Sequence, residues 1–383
     1  MSSRAPVAGP QTRNRRAARW NRSLEGSRFP PRPSVLHYAC LAVRLNFVAV
    51  RAGEGGAKMS VIRSGSGPLL QPPDINAFRE WNRQKPKGLV DKRMTEAEAV
   101  RRFVRDGDYI GIELYGTVRC PMSLTREIIR QGKKNLRMAG QGVLELDMLL
   151  GAGLVKALDL TYMGLEVYGV SSCFRREVES GRVETCVEWS NASIAWRFKA
   201  AAMGVPFLPV RSMLGTDTFE YSAAKVIDCP FTGDPICLLP ALILDVGLIH
   251  VHRADMFGNA QVDGISGFCA EMARASKRLI LSAEEIVPIE AIREHPDRTI
   301  IPYYLVDAVV EAPFGSHPGE MCYQYERDEE NIKAWVEASK EADTTRAYLD
   351  RYVHGVPDHQ AYLRLIGEER LSALRSAVPG RKA

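Results

Sequence analysis

The sequence predicts an α/β protein in which a mostly parallel β-sheet is covered by helices on both faces. Three observations support this fold class. From residue 94 onward, short β-prone apolar runs alternate with segments whose apolar residues recur at helical spacing. Residues 106–130 read as a buried strand, a loop and a helix, the repeating unit of such a sheet. After residue 328 the chain reads as amphipathic helix with acidic and basic faces.

The composition fits a globular chain with room for one large α/β domain and extensions, or for two domains. Of the 383 residues, 45% are hydrophobic and 25% are charged. No run approaches the roughly 18 apolar residues that a membrane-spanning helix needs, so we expect no membrane partner. The eight cysteines include no C-x-x-C pair, and together with seven scattered histidines they offer no metal-ligand spacing. We therefore expect reduced thiols, no bound metal and a cytoplasmic location.

The positive net charge of the chain belongs to its first 58 residues. These contain eleven Lys and Arg against two Glu, a net charge of +9, whereas the whole chain carries +5. The remaining residues therefore carry a net charge of −4. A basic excess confined to one end does not favour nucleic acid as a partner of the folded body.

Residues 1–58 read as an Arg-rich, disordered leader. They are rich in Arg, Pro and Gly, poor in acidic residues, and without clean helical or strand periodicity. Three origins fit this composition. The segment could be a transit peptide, which would place the protein in the mitochondrial matrix, or a basic arm for nucleic acid, or upstream sequence joined by a start codon chosen too early. In the last case, Met59 is the natural start.

Three further segments complete the predicted organisation. Residues 59–93 read as an N-terminal arm that wraps on the body or on a partner chain. Residues 94–327 form the α/β domain, and a capping box of Thr95 and Glu98 predicts the start of its first helix. Residues 328–383 form a C-terminal helical extension.

The alternating pattern of the α/β domain predicts six main strands and six main helices, joined by right-handed crossovers. The predicted strands are Tyr109–Leu114, Leu136–Ala139, Ala157–Met163, Val183–Trp189, Leu242–Val251 and Arg278–Leu281. The predicted helices are Ala97–Val104, Met122–Arg130, Glu145–Gly151, Phe174–Glu179, Ile194–Met203 and Glu271–Ser276.

The unit at residues 106–130 carries the first candidate site. A D-G turn leads into its buried strand, and Ser123 is a possible N-cap of its helix. In open α/β sheets, ligands bind outside the carboxyl ends of the strands, where loop amides and helix N-termini face an anion. A purely structural turn is the alternative. The candidate binding residues of this loop are Glu113, Tyr115, Gly116 and Arg119.

Glu113 is the candidate with catalytic potential, because it places a carboxylate at the carboxyl end of a buried strand. Burial would raise the pKa of its carboxyl group, whereas the nearby Arg119 would lower that pKa. Two roles are open. Glu113 could pair with Arg119 or with an arginine of a partner chain and do no chemistry, or it could act as a base.

Two later segments carry further candidates. In the run V-E-W-S-N-A-S-I-A-W, Asn191 could orient a substrate carbonyl or carboxylate, or Ser190 and Asn191 could simply cap the next helix. In the loop R-S-M-L-G-T-D, the glycine permits a tight turn and the arginine can face an anion. The candidate residues of that loop are Arg211, Gly215, Thr216 and Asp217.

Histidines supply weaker candidates. His250 and His252 alternate on a predicted strand and share a face, and we interpret them as core or interface residues because no carboxylate spacing makes them a metal site. His317 could titrate within the run V-D-A-V-V-E-A-P-F-G-S-H-P, which we expect to form a packed, hydrogen-bonded loop.

Several of these segments resemble the A (alpha) subunit of family I coenzyme A transferases, the glutaconate CoA-transferase type in particular. The D-G entry, apolar strand, short loop and Pro of residues 106–121 match that family in length, with Glu113, Leu114 and Tyr115 at the family's Gly-Gly-Phe positions. The R-S-M-L-G-T-D loop matches closely, and residues 306–318 give the most specific match. The resemblance spans about residues 97–371 and implies an open α/β/α sandwich of the CoA-transferase, NagB-RpiA-like kind.

The resemblance also implies an activity and a partner. The expected reaction moves coenzyme A from an acyl-CoA to a small carboxylic or dicarboxylic acid, without a permanently bound cofactor. Such acyl transfer needs a carboxylate nucleophile. In the family this Glu lies in the B subunit within a Ser-Glu-Asn-Gly-type motif, and no such motif occurs here. We therefore expect an assembly with a B subunit, in an α2β2 or larger complex, and an unknown catalytic contribution from this chain.

Two rival functions share the fold. In the related ring-opening CoA hydrolase of steroid breakdown, the A subunit carries a catalytic Glu in a segment that aligns with residues 187–196, and that Glu position falls on Asn191. An amide cannot act as a base at neutral pH, so Glu113 would have to do that work. A ligand-binding or assembly subunit without turnover is the non-enzyme alternative.

Overall fold

The computed structural model describes residues 60–113 and 115–378. The predictions for residues 1–58, including a start at Met59, lie outside the described residues, and so does Leu114 at the end of the first predicted strand. Each of the six predicted strands overlaps a strand of the structure, and each of the six predicted helices overlaps a helix.

Thirteen strands occur in the described residues. They are β1 (Arg63–Ser64), β2 (Tyr109–Glu113), β3 (Leu136–Gly142), β4 (Val155–Met163), β5 (Thr185–Glu188), β6 (Phe207–Val210), β7 (Lys225–Asp228), β8 (Pro235–Pro240), β9 (Leu244–Ala254), β10 (Ala260–Gln261), β11 (Ser276–Ile286), β12 (Thr299–Ile301) and β13 (Ala308–Glu311).

The α-helices fall into a group within the α/β domain and a group at the C-terminal end. They are α1 (Ile75–Gln84), α2 (Glu96–Phe103), α3 (Met122–Arg130), α4 (Leu144–Gly151), α5 (Ser172–Glu179), α6 (Asn191–Met203), α7 (Asp217–Glu220), α8 (Cys269–Ala275), α9 (Ile289–Glu294), α10 (Glu329–Ala338), α11 (Ala342–Leu349), α12 (His359–Ile366) and α13 (Glu368–Ser376).

Nine strands form the central sheet, which is mostly parallel as predicted. Seven of them lie in the order β13–β11–β9–β2–β3–β4–β5, and every neighbouring pair in that order is parallel. The short strands β10 and β12 extend the sheet antiparallel from the carboxyl end of β9. The chain runs outward from β2 in one direction through β3, β4 and β5, and later continues on the other side of β2 with β9. The topological switch point therefore lies between β2 and β9.

Helices cover both faces of this sheet, so the architecture is the expected α/β/α sandwich. Ile110 and Ile112 of β2 pack into a core with α2, α3, α4, α10 and α11. Tyr109 of the same strand belongs to a second core with α1, α6 and α8. This division follows from the alternation of side chains along a strand, which sends neighbouring residues to opposite faces.

Local sequence signals explain where two of the helices begin. At α2 the predicted capping box is present, because the Thr95 side chain accepts a hydrogen bond from the Glu98 amide and the Glu98 side chain accepts one from the Thr95 amide. At α3 the prediction is wrong, because Pro121 takes the N-cap position and Ser123 lies inside the first turn. The hydroxyl of Ser123 is buried and has no hydrogen-bond partner among the described residues.

A second sheet was not predicted. It is four-stranded and antiparallel, in the order β1–β7–β8–β6, and it packs against α6. The sequence pattern of this region indicates loops, because its strands are short and carry prolines, including Pro209, Pro235 and Pro240.

The described part of the N-terminal arm packs on the α/β domain of the same chain. Phe78 of α1 is buried in the second core, and the indole of Trp81 donates a hydrogen bond to the Lys277 carbonyl at 3.0 Å. Lys85 forms a 2.6 Å ion pair with Asp307.

The C-terminal helices are part of the main core. Trp335 of α10 is buried and its indole donates to Asp147 of α4 at 2.9 Å. Arg370 of α13 reaches back to Asp328, just before α10, at 2.6 Å. None of the helices in the described ranges is long and apolar enough to cross a membrane.

Candidate functional site

The carboxyl end of β2 lies at the switch point of the central sheet. Glu113, the last residue of β2, is in register with Ile249 of the neighbouring β9. Ligands of open α/β proteins bind outside the carboxyl ends of strands at such a point, because the connections there leave in opposite directions and open a crevice. The structure therefore puts the first group of candidate residues where a binding site is expected.

Glu113 and Arg119 form a bidentate ion pair at this position. The guanidinium donates from Nη1 to Oε2 of Glu113 at 2.7 Å and from Nη2 to Oε1 at 2.9 Å. Both side chains are fully buried. Burial raises the pKa of the Glu113 carboxyl group, and the charge and hydrogen bonds of Arg119 oppose that rise. Of the two partners expected for Glu113, the structure shows the arginine of its own loop.

The backbone of the loop after β2 is held in a tight conformation. Arg119 has a φ of 60°, and its amide donates to the Glu320 carbonyl at 3.0 Å. Gly116 has a φ of 61°, and a Cβ atom at this position would lie 3.4 Å from Oε1 of Glu166. Tyr115 exchanges backbone hydrogen bonds with Val118 and leaves its side chain exposed. The loop after β2 thus lies beside the loop after β4, which carries Glu166.

Asn191 is the first residue of α6 and is exposed. The cap itself is Ser190, whose side chain accepts a hydrogen bond from the Ser193 amide at 3.1 Å, while the Ser193 hydroxyl oxygen accepts one from the Ser190 amide at 2.7 Å. The helix therefore starts three residues before the predicted Ile194. Ser190 fulfils the capping role considered for this pair, and Asn191 is exposed just beyond the carboxyl end of β5.

The loop of Arg211, Gly215, Thr216 and Asp217 joins β6 to the short helix α7. Gly215 has a φ of 75°, so it supplies the tight turn that the sequence predicts. Thr216 is the N-cap of α7, and its hydroxyl donates to the Met213 carbonyl at 2.8 Å. Arg211 is exposed and forms no ion pair with a described residue.

The candidate residues thus fall into two groups along the carboxyl edge. The 211–217 loop lies near β5, because the Glu188 amide donates to the Tyr221 carbonyl just beyond α7. β5 is three strands away from β2 in the sheet, which is about 14 Å at the usual strand spacing. No hydrogen bond or ion pair in the described chain joins Asn191 or the 211–217 loop to the Glu113–Arg119 pair.

A buried carboxylate that was not among the sequence-based candidates lies on the other side of the switch point. Glu284, near the carboxyl end of β11, accepts hydrogen bonds from His250 Nε2 at 2.8 Å and from the Tyr325 hydroxyl at 2.6 Å. It also accepts from the amides of Phe314 at 2.7 Å and Gly315 at 3.2 Å. Glu284 therefore fixes the loop after β13 onto the sheet.

That loop also supports the loop after β2. The Ser123 amide donates to the Gly315 carbonyl, and the Thr117 hydroxyl donates to Glu320 at 2.7 Å. Glu284, through these contacts, belongs to the scaffold of the candidate site. The signal in the sequence was the same as for Glu113, a carboxylate that follows an apolar parallel strand, but its four partners are far away in the chain.

His250, His252 and His317 are buried and hydrogen-bonded, in agreement with the core or packed-loop positions expected from the sequence. His250 and His252 are buried, and His252 Nε2 is 2.9 Å from the Cys322 carbonyl. His317 lies in the packed, hydrogen-bonded loop that was expected, 2.7 Å from the Tyr362 hydroxyl and 3.1 Å from Asp328. Burial lowers the pKa of His317, against the opposing effect of Asp328.

Glu145 is a second carboxylate that the sequence pattern did not single out. It lies at the start of α4, just after β3, and is fully buried. Its Oε1 accepts from the Val143 amide at 3.0 Å, whereas Oε2 has no partner at hydrogen-bonding distance in the described chain. Burial raises the pKa of this carboxyl group to about 7, with the nearby Cys120 thiol among the groups that oppose the rise.

No group of three or more His, Cys, Asp and Glu side chains within residues 60–113 and 115–378 could hold a metal ion. Seven cysteines belong to these ranges and are free, including Cys120 in the loop after β2. Burial raises the pKa of Cys120 well above its usual value, so this thiol is not a nucleophile at neutral pH.

Comparisons with known proteins identify the family and the fold of this chain. Residues 93–312 match the model of the family described as coenzyme A transferase. The chain is 35% identical over 279 residues to the A subunit of 3-oxoadipate CoA-transferase from Pseudomonas knackmussii, a match that covers 72% of this chain and 98% of the relative. It is 30% identical over 294 residues to the cholesterol ring-cleaving hydrolase IpdA subunit of Mycobacterium tuberculosis, covering 74% of this chain and 100% of that relative.

The A subunit of glutaconate CoA-transferase from Acidaminococcus fermentans is 34% identical over 310 residues, which is 76% of this chain and 96% of the relative. The crystal structure of that transferase superimposes with a TM-score of 0.73, again over 76% of this chain and 96% of the other. The chain belongs to the coenzyme A transferase family and is of the same type as the A subunit of glutaconate CoA-transferase.

Proposed function

We propose that this chain is the A subunit of a heteromeric CoA-transferase that moves coenzyme A from an acyl-CoA to a small carboxylic acid. The observation that carries the proposal is the match to two transferase A subunits over nearly their whole lengths, 98% and 96%. The family match at residues 93–312 includes the switch-point edge with Glu113 and Arg119.

The reaction needs a carboxylate nucleophile, which we assign to a Glu of a B subunit. That carboxylate attacks the thioester carbonyl and expels CoA as thiolate, which leaves a mixed anhydride. The thiolate then attacks the enzyme's acyl carbon and releases the substrate's carboxylate, so that the Glu carries CoA as a thioester. An acceptor acid reverses both steps. In this chain, Glu113 is engaged by Arg119 in a buried pair, which suits a supporting role better than nucleophilic attack.

The exposed surface around the switch point supports a partner chain. The loops that follow β2, β4 and β10 and the segment after β13 present large apolar side chains to solvent. These residues are Tyr115, Val167, Val170, Ile265 and Tyr323, which are 54%, 78%, 60%, 40% and 69% exposed. Apolar side chains grouped around a functional edge are typical of an interaction surface. We therefore place the B subunit on this edge, in an α2β2 or larger assembly.

The same edge would take the substrates. In this proposal Tyr115, Gly116 and Arg119 shape the acyl end of the site, while Asn191, Arg211, Gly215, Thr216 and Asp217 border the coenzyme A end. Arg211 is the candidate for a phosphate of coenzyme A, because it is exposed and has no carboxylate partner in the described chain. Coenzyme A is then a substrate rather than a permanently bound cofactor, and a cytoplasmic location fits the free cysteines.

A CoA-ester hydrolase is the second candidate function, because one relative is named as a ring-cleaving hydrolase subunit. The two residues that could serve as its base do not favour it. Asn191 is an amide and cannot take a proton at neutral pH, and Glu113 is fully buried in its ion pair. A ligand-binding subunit without turnover would have the same fold. It is distinguished from both enzymes because its complex would bind acyl-CoA without transferring or hydrolysing it.

The test is co-expression of this chain with the product of the neighbouring reading frame. We expect that frame to encode a chain of about 250 residues with a Ser-Glu-Asn-Gly-like motif, the size and motif implied by the family resemblance. The purified complex should transfer CoA from one acyl-CoA to a second carboxylic acid, with little release of free CoA. A complex that only hydrolyses acyl-CoA supports the second candidate, and one that binds without turnover supports the third.

A further inference from the structure

We infer that the acyl group held at the switch-point edge carries no second carboxylate, so that this enzyme acts on CoA esters of uncharged acyl groups. The inference rests on the proposed function, since it assumes that the acyl end of the substrate lies against the loop after β2. Four features of that edge support it. One arginine is already ion-paired with a carboxylate of this chain, and so is a second arginine. Two carboxylates have no ion-pair partner in the described chain, and the exposed side chains are apolar or aromatic.

Arg119 is the cation closest to the carboxyl end of β2, and its hydrogen-bonding capacity is nearly used up. Four of its five N–H groups are engaged. Nη1 and Nη2 hold Glu113, Nη1 also donates to the His250 carbonyl at 3.2 Å, and Nε donates to the Ile265 carbonyl at 3.1 Å. The carboxylate of Glu113 also neutralises its charge. A second carboxylate on the substrate would have to displace Glu113 to reach this guanidinium.

The next cation along the edge is also already paired with a carboxylate of this chain. Arg253, in the part of β9 that pairs with β10, donates from Nη2 to both carboxylate oxygens of Asp263, at 2.7 and 2.5 Å, and from Nε to Gln261 at 3.1 Å. Arg211 has no such partner, but its loop lies beside β5, about 14 Å from β2 along the sheet. Arg211 therefore serves a different part of the substrate.

Acidic side chains border the loop after β2. Glu166 is next to Gly116, and Glu320 accepts a hydrogen bond from the hydroxyl of Thr117. Neither carboxylate forms an ion pair with a residue of the described chain. Their charge would repel a second carboxylate of the acyl group.

The exposed side chains in this region are apolar or aromatic. Tyr115 lies on the loop after β2, Ile265 on the loop after β10, and Tyr323 packs against that same loop, where a Cβ atom at Gly264 would lie 3.1 Å from the Tyr323 ring. Such side chains stabilise the alkyl or aryl part of an acyl group and offer no compensation for a charge. An unpaired carboxylate is strongly disfavoured in such a buried apolar site, so discrimination of about 100-fold or more is expected.

The test compares CoA esters that differ only in a terminal carboxylate. The complex of this chain with its B subunit is mixed with hexanoyl-CoA or adipoyl-CoA, and with butyryl-CoA or succinyl-CoA, without an acceptor acid. Formation of the enzyme–CoA thioester is then followed, because this half-reaction needs only one substrate. We expect the uncharged ester of each pair to form the thioester with a second-order rate constant at least about 100-fold higher. Equal or faster reaction of the dicarboxylic esters overturns the inference, whereas a complex that reacts with none of the four contradicts the proposed function itself.

A variant tests whether Glu113 is the residue that excludes the second carboxylate. Glu113→Gly leaves room beside Arg119 for a substrate carboxylate, so the ratio of adipoyl-CoA to hexanoyl-CoA reactivity should rise by about 10-fold or more. Asp159→Gly is the matched control, because Asp159 is also paired with a buried arginine, Arg197, at 3.0 Å but away from the edge. Its ratio should stay at the native value. A folded Glu113→Gly complex with an unchanged ratio assigns the exclusion to other residues, and the comparison of native esters stands independently of how well either variant folds.

Discussion

Glu113 and Arg119 form a fully buried, bidentate ion pair across the loop that follows the central strand of the sheet. Removing one partner of such a pair usually costs about 3–5 kcal/mol, because the other charge remains buried without compensation. The pair therefore stabilises the conformation of the very loop that faces the proposed acyl site. A conservative substitution of Glu113 distinguishes structural support by this pair from a direct catalytic role.

Glu113→Gln should change the Michaelis constant or the substrate preference of the complex with the B subunit while leaving appreciable turnover. The amide keeps the shape and one acceptor of the carboxylate but removes its charge. If Glu113 were instead a general base, kcat would fall by about 100-fold or more. Steady-state kinetics distinguish the two, and a normal Michaelis constant with nearly abolished turnover would move the protein toward the hydrolase class.

Glu284 should be the more costly carboxylate to remove, because four donors depend on it. We expect Glu284→Leu to lower the free energy of unfolding by about 3 kcal/mol or more, and Tyr325→Phe by about 1 kcal/mol. Chemical denaturation of the purified chain measures both. Glu311→Gln, at an exposed position of β13, is the control and should change stability by less than about 0.5 kcal/mol. A Glu284→Leu protein as stable as the control would show that the carboxylate does not hold the loop after β13.

The stability of the fold should depend on the ionisation of Glu145. Burial raises the pKa of its carboxyl group from 4.5 to about 7 in the folded chain. Below about pH 4.5 both states are protonated, whereas between 4.5 and 7 the folded state keeps a proton that the unfolded state has lost. The contribution of Glu145 is therefore present at low pH and is lost as pH rises through 7, by an amount on the order of 3 kcal/mol.

Glu145→Gln should remove this part of the pH dependence and should be more stable than the native chain at pH 8. Urea denaturation of both proteins between pH 5 and 8 provides the comparison. Asp147, whose pKa burial raises to about 6, contributes a similar slope and remains in both proteins. Parallel pH profiles for the two chains would contradict the assigned ionisation.

The elements that the sequence predicted well are those specified by local chemistry. The Thr95 capping box, the turn at Gly215 and the burial of β2 all depend on residues close in the chain, and Glu113 meets Arg119 for the same reason. Such features are readable because a few neighbouring side chains determine them.

The elements that were missed depend on distant parts of the chain. Glu284 accepts hydrogen bonds from His250, Phe314, Gly315 and Tyr325. These residues are distant in the sequence and meet only in the folded chain, so no sequence spacing predicts the contacts. The four-stranded antiparallel sheet was not predicted because its strands are short and contain prolines. In addition, β1 pairs with a strand that is distant in the sequence, so no local pattern predicts that pairing. Ser123 has the side chain of a typical N-cap residue, but Pro121 occupies the N-cap position of α3 in the folded chain.

A chain that begins at Met59 should fold as well as the 383-residue chain and should assemble equally with the B subunit. The secondary-structure elements of the described chain start at Arg63, and their cores are built from later residues. Thermal unfolding and co-purification with the B subunit test this expectation. Loss of assembly on removal of residues 1–58 would show that the Arg-rich segment has a role in the mature complex.

The most direct test of the proposed function is the location of coenzyme A on the enzyme during turnover. The complex is incubated with an acyl-CoA, the thioester is trapped by hydroxylamine or borohydride, and the modified peptide is identified by mass spectrometry. We predict a single modified Glu on the B subunit, none on this chain, and no trapping when this chain is incubated alone. Modification of Glu113, or steady hydrolysis of acyl-CoA with no trapped Glu on either chain, would contradict the account.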